Sequence, residues 1–219
     1  HSLLGSPLQY QLLYVALRQQ ALQLRQLLTS LGVEVSKQKP NKKAKKSKNG
    51  EEEKKAPKQQ VPYTWPLMVS LRSTALCLRD ADDVLRPLLY PALHVLQGFV
   101  QLTKSPTWLP AQLLCLDCML LLANQVYVPI SAAALRMLTG VLTSSAGGKA
   151  PTVPLAPSSL RISRAGLTHR GIQQDNIVLR HLDIILRDAS LRARHVSYPE
   201  WSVPVTRQLH FLCNYAPPR

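Results

Sequence analysis

The sequence predicts an all-α fold: an α-solenoid of HEAT- or armadillo-like helix pairs with a disordered lysine-rich insertion. Three observations carry this expectation. Leucine and other apolar residues recur at three- and four-residue steps through most of the chain, the period of a helix face. Aromatic residues make up 5% of the sequence and glycines number only 9, which argues against an all-β domain. Prolines punctuate the apolar runs at Pro91, Pro106, Pro110 and Pro129, near expected helix starts, where a missing N–H costs nothing. With 219 residues and 46% hydrophobic content, residues 1–219 have material for one helical module.

The first helix is expected from Leu8 to Leu31, with Leu8, Leu12, Leu13, Val15, Leu17, Leu22, Leu24, Leu27 and Leu28 on its apolar side. Arg18, Gln23 and Gln26 fill the polar side, and Gly32 is a natural stop. Residues 33–60 then lose all apolar periodicity. They are rich in lysine and hold Pro40, Asn49-Gly50 and Pro57, so they are expected to be disordered for want of apolar surface to bury. Their cluster Lys42, Lys43, Lys45, Lys46 and Lys48 fits a nuclear-localisation or nucleic-acid patch. A plain solvated loop fits it as well.

Helical pattern resumes from Trp65 to Arg79 through Leu67, Val69, Leu71, Ala75, Leu76 and Leu78. Asp80, Asp82 and Asp83 follow, placed to cap the next helix, where carboxylates accept orphan N–H groups and suit the dipole. From Leu88 to Leu138 the chain is almost free of charge and dense in leucine. The wide apolar stripe predicts three successive helices, each buried on more than one side, forming the middle of the stack. Residues 143–159 are rich in proline, glycine and serine and predict an irregular loop. Leu160 to Arg170 is short and basic, with Arg161, Arg164 and Arg170, suited to a phosphate or an acidic partner.

Asp175-Asn176 opens a helix with Ile177, Leu179, Leu182, Ile185, Leu186 and Ala189 expected on its buried face. Arg180, Asp183, Arg187, Arg192 and Arg194 are expected on the other face, the arginines as further candidates for RNA or partner contact. Tyr198-Pro199-Glu200-Trp201 leads into a last helix through Val203, Val205, Leu209 and Leu212.

Several residues of this series resemble one known family. Tyr90-Pro91, Gly98, Leu102, Pro110, Cys115 and Tyr127-Val128-Pro129-Ile130 are similar to the signature of the nucleolar complex protein 2 family. A second block agrees in order: Leu160-Arg161-Ile162-Ser163-Arg164, then Gln173 to Ile177, then Val196 to Leu212 with Tyr198-Pro199-Glu200. Together they cover most of the chain from about Tyr63. The family's arginine after its proline is replaced here by Gln112, the mark of a divergent member or a fragment of one. In the family, Leu160 to Arg170 corresponds to an extended segment. The resemblance implies a non-catalytic nucleolar assembly factor for the large ribosomal subunit. It also implies nucleolar complex proteins 1 and 3 as heterodimer partners and the large-subunit precursor particle with its pre-ribosomal RNA as the setting.

Charge is consistent with polyanionic company. Formal net charge is +15, from 27 Lys and Arg against 12 Asp and Glu. Much of the excess lies between Lys37 and Lys58, yet the remainder is also basic. RNA, or the surface of an RNA-rich particle, is the simplest partner for such a bias; solubility alone is the plainer explanation. No membrane partner is expected: prolines and Gln97, Gln101, Lys104, Asp117 and Asn124 interrupt any run of the ~20 apolar residues a span needs. The chain opens at His1 with no signal-peptide pattern, and a soluble protein is expected.

Cys115-Leu116-Asp117-Cys118 has C-x-x-C spacing, which invites a zinc or redox reading. It lies inside an apolar helical pattern with no second pair, and structural zinc needs four converging ligands. Buried thiols acting as small hydrophobes are the expectation, in a reducing intracellular compartment. There is no Gly-rich phosphate loop, G-x-S-x-G or H-E-x-x-H. His94, His169, His181, His195 and His210 are scattered without a Ser and Asp at triad spacing. No enzyme activity, cofactor, metal or small-molecule substrate is expected. Against the assembly-factor reading stands one alternative: an α-solenoid adaptor in nuclear transport or chromatin regulation.

Overall fold

A computed structural model describes residues 6–37, 61–103, 105–143, 149, 152–169 and 171–215. Among them the chain is all-helical. The helices are α1 (Ser6–Lys37), α2 (Trp65–Leu78), α3 (Leu89–Gln101), α4 (Leu109–Leu122), α5 (Ile130–Thr143), α6 (Arg164–Thr168), α7 (Ile172–Arg192) and α8 (Tyr198–Tyr215). Short 3-10 turns, Arg86–Leu88 and Pro106–Trp108, lead into α3 and α4.

The three helices expected between Leu88 and Leu138 are α3, α4 and α5, and their prolines sit where expected. Pro91 lies in the first turn of α3, Pro110 in that of α4, and Pro129 immediately precedes α5. Asp82 accepts the amide of Leu85 through Oδ1 at 3.0 Å in the turn before Arg86–Leu88, whereas the N-caps of that 3-10 turn and of α3 are Leu85 and Leu88, without a side-chain cap. Three boundaries differ from expectation, one being the start of α7, which opens at Ile172 rather than at Asp175-Asn176. Helix α1 continues through Gly32 to Lys37, because one glycine weakens a helix by only ~1 kcal/mol and does not stop it. Part of the segment expected to be extended, Arg164–Thr168, is a short helix, started by Ser163, whose hydroxyl accepts the Gly166 amide at 3.1 Å.

Helix α4 is the hub. It packs against α2, α3, α5 and α7, and none of its residues is exposed. A helix apolar all round belongs in a core. Helix α1 lies on α2 and α3 through Leu13, Leu17 and Gln20. The approach to α3 is close: a Cβ added at Gly98 would overlap Cδ2 of Leu24, so glycine admits that leucine. Gln20 Nε2 donates to Ser70 Oγ and Thr74 Oγ1 of α2, both at 2.9 Å.

Residues 152–163 are irregular but tied at three points. Gln173 Nε2 donates to the Val153 carbonyl at 2.8 Å, Trp65 Nε1 to that of Ser158 at 3.1 Å, and the Ile162 amide to that of Thr107 at 2.8 Å.

Candidate interaction surface

Of the arginines singled out above, some are exposed and some are built into the packing. Arg161 lies beside the loop-to-α6 junction with its guanidinium 5.4 Å from the Trp108 ring centroid, a cation–π distance. Trp108 in turn packs on Tyr63 at 5.6 Å, whose buried hydroxyl donates to the Phe99 carbonyl and whose ionisation burial strongly disfavours. Arg161 therefore projects from a rigid aromatic base. Arg164 is exposed at the start of α6, and Arg194 in the turn after α7.

Arg187 and Arg192 have partners inside the fold. Arg187 Nη1 pairs with Asp117 of α4 at 2.9 Å and Asp183 at 3.6 Å. Burial raises the Asp117 carboxyl above its ordinary range, opposed by the charges of Arg187 and Arg180. Arg192 Nε pairs with the fully buried Asp188 at 2.8 Å. Its Nη2 donates to the Val128 carbonyl, and its guanidinium lies 4.2 Å from the Tyr127 ring centroid. Lys42, Lys43, Lys45, Lys46, Lys48 and Arg170 lie outside the described residues.

The buried face of α7 is only in part the one hydropathy suggested: Ile177 and Ile185 are buried and Leu182 and Ala189 half-buried. The buried stripe is Gln174, Ile177, His181, Ile184, Ile185 and Asp188. Leu179 and Leu186, expected inside, are 62% and 68% exposed. His181 Nδ1 bonds the Ile177 carbonyl at 2.7 Å, while Nε2 has no partner. Burial lowers its pKa from 6.5 to about 4, so the ring is neutral at physiological pH and Nδ1 is the donor.

Cys115 and Cys118 are buried free thiols on α4. Burial raises Cys115 strongly and Cys118 to about 12, the latter helped by the Asp117 charge and opposed by Arg72. Neither is poised as a thiolate nucleophile or ligand. No cluster of three or more His, Cys, Asp or Glu with metal-binding geometry occurs among the described residues.

The described residues also form two notable concavities. A groove of about 680 Å³ runs between the end of α3, α4 and α5, lined by Leu109, Met119, Met137 and Arg136 among others. Gln112 closes its floor, with Nε2 donating to the Val100 and Thr103 carbonyls at 3.0 and 2.9 Å. Thus the residue that departs from the family's arginine satisfies the carbonyl end of α3. A smaller cleft, about 310 Å³, lies between α1 and the start of α2 and is lined by Gln19, Gln20, Gln23 and Gln26. Sequence reasoning missed both; Gln20 was the available signal, a polar residue on the apolar stripe of α1 between Leu17 and Leu24.

Among protein families, the model described as the Noc2p family matches residues 3–216, nearly the whole chain. The match reaches back across α1, well before the motifs that begin near Tyr63.

Proposed function

The chain belongs to the Noc2p family, and from that premise we propose that it is a helical scaffold in large-subunit assembly. Membership implies a nucleolar, non-enzymatic role in ribosome biogenesis. No helix among the described residues is long and apolar enough to cross a membrane. The finer reading is that the chain forms one α-solenoid module of HEAT- or armadillo-like pairs. With the five-residue α6 set aside, the major helix contacts join elements one or two places apart in chain order, as stacked pairs do. In this reading residues 38–60 are a basic insertion and 144–159 a surface loop.

The scaffold binds partner assembly factors through its outer helix faces and pre-ribosomal RNA through its basic residues. The observation that carries this is the exposed pair Leu179 and Leu186. They stand two turns apart on one face of α7, on a chain of net charge +15. Apolar residues on an outer face favour a protein partner, and the charge excess favours phosphate. Arg161, Arg164, Arg180 and Arg194 are the proposed contacts within the fold, with the lysine cluster at 42–48 and Arg170 proposed on charge alone. The partners that fit the family are nucleolar complex proteins 1 and 3.

Affinity purification of the tagged chain from nuclear extract, with and without RNase, tests this. Large-subunit precursor RNA, together with a large helical-repeat partner that survives RNase, is the expected recovery. Transport receptors or histones without ribosomal precursors would establish the adaptor reading instead.

A further inference from the structure

Helix α1 has two apolar faces and the fold uses one. Leu13, Leu17 and Gln20 are buried against α2 and α3. Leu8, Leu12, Val15 and Leu22 are 48%, 55%, 52% and 49% exposed. At 100° per residue their mean direction is roughly 150° from that of the buried face. Their 4-3-7 spacing, with Gln19 at the intervening position, is a heptad a/d pattern. A stripe of this kind along a helix is the seam on which a second helix packs.

The two flanks of the stripe differ. On one side stand Arg18 and Arg25, a heptad apart and both exposed. No ion pair engages either among the described residues, and α1 carries no acidic residue between Ser6 and Gly32. The other side opens into the glutamine-lined cleft against α2. There Gln20 is 2% exposed, its Nε2 is used by Ser70 and Thr74, and its Oε1 has no hydrogen-bond partner. A buried acceptor without a donor leaves its desolvation uncompensated, and Gln20 stands among the residues that line the cleft.

We propose that α1 is a docking helix: an acidic amphipathic helix of a partner protein lies along Leu8, Leu12, Val15 and Leu22, with one polar edge over the glutamine-lined cleft. Carboxylates flanking the partner's apolar seam face Arg18 and Arg25. Charge complementarity selects this occupant. A second copy of a chain of net charge +15 would be repelled, and its α1 has no acidic residue between Ser6 and Gly32 to face Arg18 and Arg25. RNA has no use for a leucine ridge. The proposal deepens the scaffold reading and rests on it, naming one surface and the chemistry of what covers it.

The test places the photo-cross-linking residue p-benzoylphenylalanine at Gln11, Gln23 or, as a control on α7, Ser190 of the full chain in nuclei. Gln11 and Gln23 are expected to capture one protein through a net-negative peptide with apolar residues at three- and four-residue steps. Ser190 should not capture that peptide. In the background L12E/L22E, capture should fall at least tenfold with the helical circular dichroism signal and unfolding midpoint unchanged. R18E/R25E should weaken it severalfold. Cross-linking to RNA, to another copy of this chain, to a peptide without that pattern, or to nothing overturns the proposal. Precursor RNA recovered by a chain whose Gln11 captures nothing sinks the docking helix and leaves the scaffold standing. A chain that recovers no precursor sinks the scaffold itself.

Discussion

Asp188 on α7 accepts both the backbone amide and the hydroxyl of Ser131, 57 positions earlier in the sequence at the first turn of α5. A carboxylate from one helix thereby caps another, where unsatisfied N–H groups and the helix dipole favour negative charge. Arg192 completes the arrangement by pairing with Asp188 and donating to the Val128 carbonyl. The chain corner before α5 is thus fastened to α7 by side chains.

Replacing Asp188 by Asn should therefore destabilise the protein by about 3 kcal/mol, because Arg192 loses its buried counter-charge. Urea unfolding measures this. In a double-mutant cycle, D188N/R192M should cost clearly less than the two single variants together. Additive losses would show that the pair is not coupled.

His181 makes stability depend on pH in a defined window. Its folded pKa, about 4, lies below the ordinary 6.5, so the unfolded chain binds the extra proton between those values. Stability is complete above about pH 6.5 and falls by up to about 3 kcal/mol as pH drops toward 4. Asp117, whose carboxyl is raised by burial, gives the opposite slope at and above its ordinary 3.8. The readout is therefore the difference between the protein and H181Q, which should have a shallower pH 7.5-to-4.5 loss.

The thiols should divide into two classes. Cys77 and Cys213 are exposed, Cys115 and Cys118 buried. An aromatic disulfide reagent at pH 8 should modify the first pair within minutes and the second only on unfolding. Rapid modification of all four cysteines would show that α4 is accessible.

Gln112→Ala should cost about 2 kcal/mol, as two carbonyls at the end of α3 lose their donor in a buried setting. Gln112→Glu should cost more, because a carboxylate would face those carbonyl oxygens. Thermal unfolding followed by circular dichroism separates the two.

The helix framework was legible in the sequence because proline acts locally. Pro91, Pro110 and Pro129 constrain their own backbone, and each stands at a helix start. The face of α7 was not legible. Hydropathy places Leu179 and Leu186 on the apolar face and gives no reason to bury His181 and Asp188, whereas Ser131 and Arg192 hold Asp188 and the Ile177 carbonyl holds His181 Nδ1 within the core. Such partners arrive from other elements or one turn away, and periodicity does not register them. The same holds for Arg187, whose counter-charge Asp117 sits on α4. Arg161 was recognisable as a basic residue, but its seat on Trp108 depends on the crossing of residues 160–163 over the turn before α4.

The near-complete burial of α4 has a consequence for how the chain is made. Of its four helical neighbours, α2 and α3 precede it, while α5 and α7 follow. At roughly 5–20 residues per second, synthesis reaches the end of α7 on the order of ten seconds after α4 has left the ribosome. For that interval a leucine-rich helix whose polar residues are Gln112 and Asp117 stands half covered, an aggregation hazard to nascent neighbours. Shielding of that helix by chaperones should therefore raise the yield of newly made protein, and truncation before α7 should give insoluble material rather than a smaller folded unit.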